Sequence, residues 1–325
     1  MFEEAENAIA NLQTDVTEID ERLNAIDAKL DDMLLRLSAL ENEEPPVEDP
    51  DDPPVEDPDE PPVISTKPLI NGDTSAWNLV FEDNFEGTEL DQSKWSMSYW
   101  WDWKQIGSVN EGTGELQWYT LGDNIELRDG KAYLIARKEQ VEGERDGRSV
   151  LFNYSSAIIT TGKPRRGVAE KFPFQYGFVE LRSRIPKGQG LWPAFWMLPV
   201  DEASRPEIDI FEFLGHETTI DRLHYHYTIS RGRQMDVGQH YPADDNGAVD
   251  YADDFHVFGL DWTSTYLRWY VDGVMAWEIK ANVPQEKMYV LINLAVGGEY
   301  PGSPDSTTPF PAEFVLDYVK IWNRV

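Results

Sequence analysis

The sequence predicts an all-β domain of about 260 residues, preceded by an amphipathic helix and an acidic, proline-rich spacer. Three observations predict it. After residue 64, short runs with period-two alternation, rich in β-branched and aromatic residues, follow one another between Gly, Pro, Asn and Asp turns. Such runs are Lys131–Lys138, Gly177–Ile185, Tyr266–Val271, Met288–Ala295 and Phe314–Trp322. Asp272-Gly273, directly after Tyr270-Val271, is a two-residue hairpin signal. No long helical period occurs in this stretch, and its length suits one large sandwich better than a string of small modules.

The N-terminal part obeys another period. Ile9, Leu12, Val16, Ile19, Leu23, Ile26, Leu30, Met33, Leu37 and Leu40 follow one another in steps of three and four without a break. This repeat keeps an apolar seam facing a partner helix, so residues 9–40 are expected to form a coiled coil. Leu at first-of-heptad positions with Ile at fourth positions favours more than two strands, which predicts a homo-trimer or homo-tetramer. Residues 45–63 then repeat Pro-Pro-Val-Glu-Asp-Pro-Asp-Asp/Glu. Prolines remove backbone donors and the carboxylates repel one another, so the segment should be an extended spacer rising ~3.1 Å per residue. The expected domains are a coiled-coil helix over 1–43, a linker over 44–66 and a β-sandwich over 67–325.

Composition narrows the chemistry. The net charge is −32, and residues 1–63 carry 21 acidic against 3 basic residues. Repulsion argues against nucleic acid or an anionic membrane as partner. No run of 18 apolar residues is present, so no membrane-spanning helix is expected. With no cysteine, the chain has no disulfide, thiolate metal site or cysteine nucleophile. Met1-Phe2-Glu3-Glu4 lacks the basic-then-apolar pattern of a secretion signal. The protein is expected outside the cell or on a surface, with a signal already removed or export by another route, such as release with a virus particle.

The chemistry concentrates in Glu207-Ile208-Asp209-Ile210-Phe211-Glu212-Phe213-Leu214. Its Ile, Phe and Leu mark a buried strand, and unpaired carboxylates are costly there unless they line a cleft. In a flat strand Glu207 and Asp209 share a face while Glu212 points to the other. A β-bulge at Ile210-Phe211 would add one residue and return Glu212 to their side. Two glutamates about 13 Å apart at Cα, leaning inward, can then bring their carboxyl groups to about 5–6 Å. That separation suits a glycosidase that retains anomeric configuration, since inverting enzymes need roughly 6.5–9.5 Å. Asp209, between them, can bond the nucleophile and raise the acid's pKa by like-charge repulsion.

This hexapeptide resembles the signature of glycoside hydrolase family 16 in its bulged Glu-x-Asp-x-x-Glu form. Lys187–Pro199 is similar to the strand that precedes it in laminarinase-type members, Glu115–Thr120 to their early cleft segment, and Asp317–Trp322 to their closing strand. The resemblance implies a β-jelly-roll of two curved antiparallel sheets with a concave cleft. It implies Glu207 as nucleophile, Asp209 as its helper and Glu212 as acid/base, with no cofactor for catalysis. Trp192 and Trp196 lie four apart on one strand, hence on one face, where a sugar ring could stack. For these, and for Trp118, stacking on sugar and packing in the core are the two readings. Glu115 falls in the cleft segment, and His226 matches a family histidine that contacts sugar near the acid/base, hydrogen-bonded packing being the alternative. A structural calcium would be held by Asp317, the carbonyl of Gly130 and Glu82, as hard oxygen ligands.

Two departures bear on substrate. Gly114 stands where laminarinase-type sequences carry Asn, and Asp201–Pro206 holds no tryptophan. Arg205 is expected to meet an anionic or substituted sugar instead, and the insert Thr228–Tyr251 to reshape one cleft wall. The leading expectation is hydrolysis of β-1,3- or mixed-linkage β-1,3-1,4-glucan. Its rivals are depolymerisation of a bacterial exopolysaccharide by a virion-associated appendage, and non-catalytic glucan binding.

Overall fold

The computed structural model describes residues 67–102, 104–242 and 249–325. The expected coiled coil and linker lie outside the described residues. Among those described, no helix is long and apolar enough to cross a membrane. The regular elements are strands and two single 3-10 turns. The strands begin β1 (Trp77–Asp83), β2 (Gln117–Tyr119), β3 (Ile125–Arg128), β4 (Lys131–Ala136), β5 (Val141–Arg145) and β6 (Arg148–Phe152). They continue with β7 (Tyr154–Ser156), β8 (Ile158–Thr160), β9 (Gly177–Arg184), β10 (Leu191–Pro199), β11 (Glu207–Leu214) and β12 (Glu217–Ile229). The last are β13 (Arg233–Pro242), β14 (His256–Trp262), β15 (Leu267–Val271), β16 (Val274–Ile279), β17 (Met288–Val296) and β18 (Ala312–Arg324).

They form two large antiparallel sheets. One runs β16-β15-β14-β9-β18-β4-β3, with β1 also paired to β18; the other runs β13-β12-β11-β10-β17-β8. Alternation puts Val179 and Leu181 of β9, Phe258 and Leu260 of β14, and Phe195 and Met197 of β10 into one shared core. Ile208 and Phe213 of β11 and Ile292 and Leu294 of β17 complete it. This is the expected β-jelly-roll sandwich. The β15–β16 hairpin turns on Asp272-Gly273, both at positive φ (49° and 78°), which matches the twist of the flanking strands. The insert of residues 228–251 supplies β13, an edge strand beside β12.

The six-stranded sheet is irregular at one place. Phe195 and Trp196 of β10, adjacent in sequence, face Phe211 and Asp209 of β11, so Ile210 is extra. On the other side Asp209 pairs with His224 and Glu212 with Arg222, three steps against two. Ile210 and Phe211 both enter the core, and the side-chain parity flips there. Glu207, Asp209 and Glu212 thus share the outer face, as a bulge at Ile210-Phe211 requires. The bulge frees the Asp209 carbonyl from the ladder, and buried Trp269 of β15 donates its indole Nε1–H to it at 2.9 Å. Trp269→Phe keeps the ring and strands that carbonyl. The variant should lose about 1–3 kcal/mol of stability in urea unfolding, and turnover should fall as the bulge loosens.

Candidate active site

Three strands supply the site. β11 presents its carboxylates, β12 presents His224 and His226 opposite Asp209 and Glu207, and β13 presents Asp236 opposite His226. His226 Nε2 stands 3.2 Å from Asp209 Oδ2 and 4.0 Å from Glu207 Oε1. On its other side, Nδ1 is 2.5 Å from Asp236 Oδ1. Arg205 donates to that same Asp236 oxygen at 2.6 Å and to the Met235 carbonyl at 3.2 Å. Glu212 accepts from Trp192 Nε1 at 3.0 Å through Oε1, and its Oε2 is 2.7 Å from His224 Nδ1. Gly238 lies opposite His224 on β13. A Cβ there would come within 2.2 Å of the imidazole Cδ2, so only glycine leaves room for that ring.

Burial sets the electrostatics. Asp209 is 3% exposed. Desolvation, then the negative charge of Asp209, pushes the carboxyl groups of both Glu207 and Glu212 above the usual carboxylate range. Such a crowded trio holds its negative charge at a cost that a neighbouring cation relieves. Burial would lower His226, but the bond to Asp209, followed by Asp236 and Glu207, wins and raises it to about 10. His226 therefore carries a positive charge among three acids. His224 is raised for the same reason, its bond to Glu212 outweighing burial.

The aromatic residues divide. Trp196 stands opposite Asp209 on the outer face, is 8% exposed, and packs edge-on to Tyr99. Its Nε1 donates to Asn293 Oδ1 at 2.7 Å. Trp192, half-buried, meets exposed Tyr300 edge-on and carries the bond to Glu212. Trp118 is not brought to this group. It is buried beside Val109 and Phe152 in a satellite cluster, its indole so close to Gly143 that a Cβ there would come within 2.4 Å. Alternation along β2 explains this, since the next residue, Tyr119, is the one that faces Asn293 and Tyr99.

Glu115 is buried, accepting from Thr113 Oγ1 at 3.0 Å and Gln117 Nε2 at 2.5 Å. Tyr119 links it to Asn293, and so to Trp196. Desolvation raises Glu115 to about 7 against the hydrogen bonds that lower it. Below pH ~4.5 native and unfolded chains both hold this proton; between 4.5 and 7 only the native chain does. Stability should therefore fall as pH rises through that window. Glu115→Gln should remove up to about 3 kcal/mol of this dependence. Urea midpoints at pH 5 and pH 8 measure it, and equal pH sensitivity in both proteins would contradict it.

Arg205 and the carboxylates expected to bind calcium have cationic or anionic partners within the fold. Arg205 is committed to Asp236, which leaves its charge neutralised rather than aimed at an anionic sugar. The residues expected to hold calcium are placed as follows. Asp317, at a register shift of β18, is ion-paired to Arg182 at 2.8 Å with Lys131 at 4.0 Å. Glu82 faces Lys320 at 3.2 Å, and Gly130 sits in the β3–β4 turn beside Glu86. The one cluster among the described residues whose donors converge is Asp209, His224 and His226, with ligand atoms all within 4.8 Å. His224 and His226, two apart on β12, share one face, and the pairing of β12 with β11 brings Asp209 to them. Nothing local in the sequence points to Asp236 and Gly238, because only the pairing of β13 with β12 brings them there.

The sequence model for glycosyl hydrolases family 16 matches residues 118–319. Glucan endo-1,3-beta-glucosidase A1 of Niallia circulans is 30% identical over 296 residues, covering 80% of this chain and 39% of its own length. Endo-1,3-1,4-beta-glycanase EglC of Rhizobium meliloti is 30% identical over 269 residues, 77% of this chain and 53% of its own. The chain thus spans about half or less of these two relatives. Among solved structures, the endo-beta-1,3-glucanase of Pyrococcus furiosus superposes with a TM-score of 0.68 at 35% identity, over 81% of this chain and 99% of that one.

Proposed function

The chain belongs to glycosyl hydrolases family 16, and from that premise we propose that it is a retaining endo-glycosidase acting on β-1,3- or mixed-linkage β-1,3-1,4-glucan. The observation that carries this is the bulge at Ile210, which sets Glu207 and Glu212 on one face with Asp209 between them. Glu207 attacks the anomeric carbon while Glu212 protonates the departing oxygen, giving a covalent glycosyl-enzyme. Glu212 then deprotonates water, which releases the sugar with its β configuration retained. Two carboxyl groups suffice for these steps, and no metal or redox cofactor takes part.

Asp209 and the charged His226 share the load on Glu207. His226 offsets repulsion within the trio, and Asp236 fixes the ring. Trp192 and His224 orient Glu212. The order of carboxylates in the family motif makes Glu207 the nucleophile and Glu212 the acid/base.

Incubation of the full chain with laminarin, lichenan, agar, carrageenan and a succinoglycan-type polymer tests the substrate class. New reducing ends from laminarin or lichenan support the proposal. Release from the exopolysaccharide alone would favour a depolymerase, and binding without release a receptor-like module. We further propose that the enzyme works outside the cell or on a surface, as a trimer or tetramer joined through residues 9–40. Light scattering of the full chain against a form lacking residues 1–43 should show a threefold or fourfold mass lost with the helix.

A further inference from the structure

We propose that the cleft is also a binding site for a borderline-soft divalent cation, Zn2+ or Cu2+, held by Asp209, His224 and His226. The donors are already gathered, one carboxylate oxygen and one ring nitrogen from each histidine lying within 4.8 Å of one another. His226 Nε2 and Asp209 Oδ2 are 3.2 Å apart. Bonds of about 2.0–2.2 Å to a tetrahedral ion place its donors about 3.4 Å apart, so this edge is nearly formed before any ion arrives. The fold supplies the set simply. The two histidines lie two residues apart on β12, hence on one face, and Asp209 is the cross-strand partner of His224.

Two further observations point to a ligand. Asp209 is 3% exposed, and its Oδ2 is held by the ionic contact with His226 Nε2 at 3.2 Å, so a divalent cation that displaces the Nε2 proton takes over a buried charge already committed to a positive partner. Asp236 accepts from His226 Nδ1 at 2.5 Å. An outer carboxylate on the far nitrogen is the arrangement that fixes the ring of a metal-bound histidine. Two imidazoles with one carboxylate suit Zn2+ or Cu2+, whereas Ca2+ and Mg2+ prefer oxygen alone. Glu212, 2.7 Å from His224 Nδ1, stands beside the set. A bound ion ties up Asp209 and both imidazoles on the face between the two glutamates. It therefore excludes sugar and inhibits reversibly.

The test uses the full chain, stripped with EDTA and then freed of it. Calorimetric titration with ZnCl2 should give one equivalent, and CoCl2 should give the visible absorption of a four- or five-coordinate ion. Excess EDTA should abolish both. His224→Ala and His226→Ala should each weaken zinc at least about tenfold, and Asp236→Asn by about 10–100-fold although it does not touch the ion. His256→Ala, on the other sheet, should leave binding unchanged. Failure of the unaltered protein to bind millimolar zinc, or unchanged affinity in His226→Ala, would overturn the site. Metal-free protein that cleaves glucan yet binds no zinc defeats this inference alone; protein that binds zinc and cleaves no polysaccharide defeats the enzymatic reading alone.

Discussion

Glu207→Ser in the full-length chain is expected to reduce laminarin turnover by at least about 10⁴-fold while sugar binding persists. The serine oxygen is too short to reach the anomeric carbon and has no base to activate it, so the glycosyl-enzyme does not form. Binding survives because Trp192, Trp196, His226 and Glu212 are untouched. The substitution also removes a buried carboxyl held above its ordinary range by desolvation and by Asp209. The variant should thus be at least as stable as the parent at neutral pH, as expected where function holds a strained charge. Azide can occupy the vacated space. It should restore cleavage of an activated β-glycoside and yield the α-glycosyl azide. If the azide product instead forms in Glu212→Ser, the nucleophile and acid exchange names; turnover at the parental rate would remove Glu207 from the mechanism.

Glu212→Gln should cost about 10²–10⁴-fold on the polysaccharide, the usual contribution of a positioned acid. It should cost much less on an aryl β-glycoside with a good leaving group, whose departure needs no proton. The glutamine keeps the acceptor for Trp192 Nε1, so the contact between β10 and β11 is preserved. The pH profile gives a second readout. Burial and Asp209 keep Glu212 protonated above the ordinary carboxylate range, so parental activity should decline as pH rises past that raised value. The variant has no proton there to lose, and its residual activity should lack this alkaline limb. Equal losses on both substrates, with the limb intact, would mean that Glu212 is not the acid.

Much of this site could be read in the sequence because its logic is local. The charges of Glu207, Asp209 and Glu212 are intelligible only if one residue between them is extra, and the structure has that residue at Ile210. The strands over 131–136, 177–184, 288–296 and 312–324 likewise follow from alternation within single segments. What stayed hidden depends on which strands become neighbours. Asp236 reaches His226 only because an insert folds back as an edge strand. Trp118 resembled a cleft residue, but the parity of a three-residue strand turns it to the satellite cluster and gives the outer face to Tyr119. Arg205 looked free in sequence and is claimed by the same Asp236, 31 residues later. The partner of Asp317 in the structure, Arg182, lies 135 residues earlier. Short-range periodicity places a side chain on a face, while the identity of its partner is a matter of topology.

The central claim is that two carboxyl groups on one wall work by double displacement. Proton NMR of the first sugar released from a β-glucan, recorded before mutarotation equilibrates it, tests this most directly. The account predicts that the β-anomer appears first and the α-anomer only later, at the rate of mutarotation. An α-anomer formed first would mean direct attack by water, and Glu207 could not then be the nucleophile.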